Sequence, residues 1–201
     1  MTTRSTPDTS RRSERSRKAI LQAARDLVAE TGYAKLTIEA IAARAKVGKQ
    51  TIYRWWPSKG AVLLDSVLAL SQADQDQDIT LPDTGDIETD LKALMRATAA
   101  EFAAPAFAAP LRALTIEITA DPRLADDYHK RVAAPMEEAK KQRLRSAQRA
   151  GQLAADADLD LILDMLYAPL AQHWMLHSGP LASDYTDRLV DAVLRAFSPR
   201  T

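Results

Sequence analysis

Apolar side chains recur along this chain at three- and four-residue intervals almost from end to end, with no stretch of the strict alternation that marks a half-buried strand. Ile20, Ala23, Ala24, Leu27 and Val28 share one face of a predicted helix. Arg17, Lys18, Gln22, Arg25 and Asp26 take the other, and Gly32 supplies the C-terminal cap. Thr37 is a suitable N-cap for a short helix with Ile38, Ala40, Ile41 and Ala45 as its stripe. Val47-Gly48 predicts a tight turn, and a second short helix follows from Lys49 to Trp56 until Pro57-Ser58 breaks it. Ser58 then caps a helix whose Val62, Leu63, Val67 and Leu70 face a core.

Beyond a polar, acidic stretch from Gln72 to Asp86 that reads as a linker, the pattern is again helical. Leu91, Leu94, Met95 and Phe102 mark one helix, and Leu111, Leu114, Ile116 and Ile118 another. Pro105 and Pro110 bracket residues 103–109, which predicts short, separately oriented helices whose joints change angle when a ligand binds. Asp121-Pro122 is a strong start signal for a long charged segment that ends at Gly151. Leu159–Leu176 is the most apolar helix, closed by Gly179-Pro180 and kinked at Pro169, and Tyr185–Phe197 is the last. The expected fold class is therefore all-α.

Composition narrows the function. The absence of cysteine excludes disulfides, Cys-ligated zinc and thiol catalysis, and fits a reducing cytoplasm. Residues 1–10 lack the apolar core of a signal peptide, and no apolar run is long enough to span a bilayer, so the expected location is cytoplasmic with no membrane partner. The net charge of zero conceals an asymmetry. Residues 1–60 carry 13 Lys/Arg against 5 Asp/Glu, a net of +8, whereas residues 61–201 carry 14 against 22, a net of −8. A basic end on an acidic body is expected when one part alone meets a polyanion.

The basic end holds the informative stretch, Thr37–Lys59 (TIEAIAARAKVGKQTIYRWWPSK). Two short helices joined by a tight turn, behind a longer supporting helix, make a helix-turn-helix. Ile38, Ile41, Ala42, Val47 and Ile52 pack the pair, leaving Lys49, Gln50, Tyr53 and Arg54 on the outer face of the second helix. Gln pairs bidentately with adenine and Lys donates to guanine, so Lys49 and Gln50 are the expected base contacts. Thr37, Thr51, Tyr53, Arg54 and Lys59 suit phosphate oxygens, and the basic residues Arg11, Arg12, Arg15 and Arg17 either reach the minor groove or act as a weakly attractive mobile arm.

Gly32-Tyr33, Thr37-Ile38, Ile41-Ala42, Val47 and the run Thr51-Ile52-Tyr53-Arg54-Trp55-Trp56-Pro57-Ser58-Lys59 resemble the signature of the TetR family of regulators. The resemblance covers residues 14–74. It implies an N-terminal three-helix helix-turn-helix DNA-binding domain, a connecting helix, a C-terminal helical ligand-binding and dimerisation domain, and a homodimer that reads palindromic double-stranded DNA. It adds Trp55 to the phosphate contacts and makes Trp56 a core aromatic. Three positions depart from the family pattern: Gly48 where Ser or Thr usually caps the recognition helix, Lys46 for a common Gly, and Trp55 for a frequent His or Tyr. The implied organisation is a disordered basic arm over 1–13, a DNA-binding domain over 14–74 with its helix-turn-helix at about 37–56, a linker over 75–85, and an effector-binding and dimerisation domain over 86–201.

Leu114–Leu124, Arg149-Ala150-Gly151-Gln152-Leu153, Tyr167-Ala168-Pro169-Leu170 and Gly179-Pro180-Leu181 are similar, more loosely, to the C-terminal domain of one TetR subgroup. Met95, Phe102, Phe107, Leu111, Met136, Met165, Tyr167 and Trp174 are the soft and bulky side chains expected to line a pocket for an unidentified small-molecule effector, or else to fill an ordinary helical core. By family analogy and by their apolar faces, the last two helices form a dimer interface or the adjoining core through Leu161, Ile162, Leu166, Leu170, Val190, Val193, Leu194 and Phe197. His173 and His177 lie one turn apart without a third metal ligand in view, and the chain has no nucleophile elbow, phosphate loop or dinucleotide fingerprint. Neither an enzyme nor a cofactor is expected. An effector-independent DNA-binding protein is the remaining alternative.

Overall fold

The computed structural model describes residues 9–71, 81–179 and 181–199. Its elements are α1 (Thr9–Thr31), a 3₁₀ turn (Tyr33–Lys35), α2 (Ile38–Ala45), α3 (Lys49–Tyr53), α4 (Lys59–Ser71), α5 (Ile87–Ala103), α6 (Pro105–Ala120), α7 (Pro122–Tyr128), a π turn (His129–Ala133), α8 (Ala134–Arg149), α9 (Leu159–Leu176) and α10 (Ser183–Ala196). Every regular element among the described residues is helical. The chain divides into two compact units, one of residues 1–74 and 109–125, the other of residues 75–108 and 126–201.

In the first unit α1 packs against α2 and α4. Ile20, Ala24 and Val28 of α1 meet a core of Ile38, Ile41, Ile52, Val62, Leu63 and Leu64, all buried. Arg25 donates to the Ser66 carbonyl at 2.8 Å, which fastens α1 to α4. Local signals set the boundaries. Gly32 at φ 79 receives the end of α1, its N–H bonding the Val28 carbonyl at 3.0 Å. Thr37 Oγ1 accepts from the Ala40 N–H at 3.0 Å, and Ser58 Oγ from the Ala61 N–H at 3.2 Å. Two expectations are corrected. α1 begins at Thr9 rather than after Ser13, the amphipathic helix propagating outward through its polar first turns with Ser16 Oγ donating to the Arg12 carbonyl; residues 1–8 of the expected arm lie outside the described residues. The second short helix ends at Tyr53 rather than Trp56, because the chain tightens there and both Trp55 and Trp56 N–H groups bond the Ile52 carbonyl.

Pro110 corrects a third. It lies inside α6 and does not divide it. The break falls earlier, at Ala104, whose extended φ −69, ψ 119 is the conformation favoured before proline. Pro110 removes one i→i−4 bond from α6, and the helix continues on the packing of buried Ala113 and Leu114. Asp121 caps α7, accepting from the Arg123 and Leu124 N–H groups at 2.9 and 3.2 Å.

The second unit packs α10 against α5 and α9, and α8 against α9. Ile87, Leu91, Met95, Leu144, Ile162, Leu166, Leu170, Val190 and Val193 form its core. Within the expected linker, residues 83–85 are firmly held. Thr84 donates to Asp90 through its N–H (3.1 Å) and hydroxyl (2.7 Å), Ser146 donates to Asp83 at 2.7 Å, and Gln152 donates to the Gly85 carbonyl at 2.5 Å. At the centre of this lock Arg143 grips Asp90 at 2.7 Å, with side chains 5% and 4% exposed. Burial alone would raise the Asp90 carboxyl, but the hydrogen bonds from Thr84 and Arg143 outweigh it and hold the group below the usual carboxylate range. α9 runs over the expected Leu159–Leu176, and His177 ends it in the left-handed conformation (φ 50) ahead of Gly179.

Candidate functional site

The recognition surface is built on α2 and α3. Ile52 is fully buried and Trp56 nearly so, the indole Nε1 donating to Asp65 at 2.9 Å, which holds α3 and the turn after it against α4. With Ile52 inward, Lys49, Gln50, Tyr53 and Arg54 point to solvent, and Tyr53 is half exposed. Thr37 is exposed at the start of α2, while Thr51, Trp55 and Lys59 are half-buried. Gly48 caps α3 without a side-chain hydrogen bond. Lys46, where a glycine is common in the family, sits in the left-handed region at φ 55, ψ 43 as the C-cap of α2.

Partners that the sequence did not announce pre-arrange several of these side chains. Lys49 Nζ lies 3.1 Å from Glu39 of α2. The Arg54 guanidinium stands 5.0 Å over the Trp55 ring, which meets Trp56 edge-on at 5.4 Å. Lys59 donates to the Tyr33 carbonyl at 3.3 Å with its ammonium 4.2 Å from the centre of that ring. Burial, followed by the neighbouring Glu117 carboxylate, pushes the Tyr33 phenol far above its ordinary range. Of the basic residues near the N-terminus, Arg12 and Arg15 are exposed and Arg17 pairs with Asp65 at 3.2 Å; the Arg11 side chain lies outside the described residues. Arg44 grips Glu30 with two bonds, 2.9 and 2.7 Å, tying α2 to α1, and its hydrogen bond holds Glu30 below the usual carboxylate range. Charge reversal between distant residues has no local signature, so these pairs were not legible from spacing.

The eight residues expected to line an effector pocket occupy different environments. Met95 is fully buried core, and Phe102 and Trp174 stack on each other at 4.7 Å, filling that space. Phe107 and Leu111 are half-buried on α6 and fall in different units, and Met165 is exposed. Met136 and Tyr167 share a cleft of about 380 Å³ in the second unit, lined also by Tyr128, Val132, Lys140 and Leu163. The expected dimer residues divide similarly. Ile162, Leu166, Leu170, Val190 and Val193 are fully buried in their own subunit's core, the second of the two places expected for them. Leu194 and Phe197 are half-buried against that core, and Leu161 is exposed beside Met165. His173 stacks on Tyr185 at 4.7 Å rather than facing His177, which caps α9. No helix among the described residues is long and apolar enough to cross a membrane.

A short capped helix, α2, packed on the longer α1 and followed after a tight turn by the outward-facing α3, defines a helix-turn-helix DNA-binding protein. Residues 20–65 match the family described as bacterial regulatory proteins, tetR family, and residues 81–193 match the tetracyclin repressor-like C-terminal domain. The chain belongs to the TetR family and is a DNA-binding transcriptional regulator. It is 32% identical over 187 residues to an uncharacterized HTH-type transcriptional regulator, YdeS, of Bacillus subtilis, covering 92% of this chain and 90% of that one. It is 31% identical over 186 residues to a DNA-binding transcriptional repressor, TetR, of Mycobacteroides abscessus, covering 91% and 94%. The crystal structure of a TetR family transcription regulator, SCO0332, superposes with a TM-score of 0.68 at 31% identity, covering 92% of this chain and 99% of that one.

Proposed function

We propose that the protein is a ligand-responsive repressor that binds a palindromic operator as a homodimer and leaves it when a small molecule binds the C-terminal domain. One observation carries the reading: α3 presents Lys49, Gln50, Tyr53 and Arg54 outward on a helix fixed from behind by Ile52 and Trp56. Lys49 and Gln50 read base edges, Lys49 exchanging Glu39 for a guanine. Thr37, Thr51, Tyr53, Arg54, Trp55 and Lys59 hold phosphates, Trp55 through its indole N–H. Arg12 and Arg15 add attraction along the backbone. The exposed Leu161 and Met165 of α9 meet a second copy, which sets two recognition helices about one DNA turn, roughly 34–36 Å, apart. A ligand that binds better to a splayed dimer shifts the population off the operator. Repression is supported by the name of the Mycobacteroides relative, and the DNA-binding role supports a cytoplasmic location.

Selection of random duplex DNA by the purified protein tests this reading, with a palindrome of two half-sites as the expected result. On that operator Tyr53→Phe weakens binding to all sequences alike. Gln50→Ala costs about 1–3 kcal/mol at one base position and relaxes specificity there. The same sequence-independent loss in both variants would overturn the role assignment.

A further inference from the structure

The cleft of about 380 Å³ lies between the π turn, α8 and α9, wholly within the second unit. Val132, Ala133, Met136 and Leu163 give it an apolar wall, Tyr128 and Tyr167 its aromatic rings, and Glu137, Asp160 and Asp164 its carboxylates. These carboxylates are not equivalent. Lys141 bridges Glu137, at 2.6 Å, and Asp160. Asp164 has no ion-pair partner among the described residues. The one cation on the lining, Lys140, places its ammonium 3.5 Å from the centre of the Tyr167 ring, with no carboxylate at ion-pair distance among the described residues.

We propose that this cleft binds an organic cation, a positively charged centre on an apolar body, which pairs with Asp164 and takes the Tyr167 ring face that Lys140 now occupies. The proposal rests on the reading of this unit as the effector-sensing part of a regulator and names the chemical class of its ligand. Lys140 itself shows that the ring face accepts a cation, and it shows the cost of seating a primary ammonium there. Burial lowers its pKa to about 8, so its charge is weakly held. A cation shielded by its own carbon groups gives up less hydration on entering the same place and buries those groups against Val132 and Met136. The balance of charge points the same way: Glu137, Asp160 and Asp164 with Lys140 and Lys141 carry a net of −1, which opposes an anion.

Benzyltriethylammonium chloride and sodium 4-phenylbutyrate, similar in size and opposite in charge, make the test, titrated calorimetrically into the full-length protein at pH 7. The cation binds saturably, one per chain, and phenylbutyrate does not. Asp164→Asn weakens the cation about fivefold or more, and Lys140→Met, which keeps the bulk and removes the resident cation, strengthens it severalfold. Thermal melts confirm that both variants fold; because one loses affinity and the other gains it, instability cannot imitate the pair of results. No saturable cation binding, equal binding of phenylbutyrate, or unchanged affinity in both variants overturns the proposal. The titration contains no DNA, so a protein that selects a palindrome yet ignores the cation sinks this inference alone, and one that binds the cation without selecting DNA sinks only the operator reading.

Discussion

The helix pairs α2–α3 and α8–α9 each bury an apolar stripe and carry ion pairs at the surface, but α8 also sends one charge inside. Around α2 and α3 the ion pairs are at the surface: Lys49 with Glu39 and Arg44 with Glu30 stay in contact with water. Such pairs contribute roughly 0–1 kcal/mol and are readily exchanged, so Lys49 can leave Glu39 when a better acceptor arrives. Around α8 the Arg143–Asp90 pair is inside, and Lys140 lies on a ring rather than a carboxylate. A buried pair cannot be exchanged cheaply. The difference separates a surface arranged to trade partners from an interior arranged to keep them.

The comparison breaks most visibly at Asp90. Asp90→Ala removes the buried partner of Arg143, leaving it the more exposed Asp83 at 3.4 Å, and lowers unfolding stability by about 3–5 kcal/mol in urea titration. The sign with pH follows from the depressed carboxyl. Its contribution is complete above the unfolded value of about 3.9 and is lost as pH falls through the folded one, so acid destabilises the wild type more than the variant. A loss below about 1 kcal/mol would place the pair with the exchangeable ones. Ile52→Ala comes next. A cavity behind α3 costs about 2–5 kcal/mol and removes operator binding while the second unit keeps its helical content by circular dichroism. Retained sequence-specific binding would show that α3 stands without its core contact. Lys46→Gly is the smallest effect and runs the other way. Relief of the left-handed backbone outweighs the added freedom of the unfolded chain, raising stability by about 0.5–1 kcal/mol in the same titration. A destabilised variant would show that the lysine side chain contributes more than its backbone costs.

What could be read in the sequence was what is decided locally. Thr37, Ser58 and Asp121 cap helices through hydrogen bonds within three residues, and Gly32 ends one through its own φ, so these boundaries were legible. Pro110 misled because the local rule records the lost hydrogen bond and not the packing of Ala113 and Leu114 that keeps α6 going. α9 is apolar on more than one face, so the pattern could not separate the inner stripe of Ile162, Leu166 and Leu170 from the outer Leu161 and Met165. For the candidate site, the outward set on α3 followed from the helical period once Ile52 was taken as core. The cleft was legible only in Met136 and Tyr167, because its remaining walls come from side chains of the π turn, α8 and α9 that meet only in three dimensions.

The recognition helix has five residues, too few to persist alone. Its shape is borrowed from Ile52 in the core and from the indole of Trp56 on Asp65. Amide protons of α3 therefore exchange with solvent through opening of that core rather than by fraying at their own ends. Heat has an ordered effect as well. As the core loosens, α3 loses the geometry that distinguishes one base pair from another, while its lysine and arginine side chains keep their charge. Warmed toward its unfolding temperature, the protein forgets which DNA it prefers before it loses its attraction to DNA.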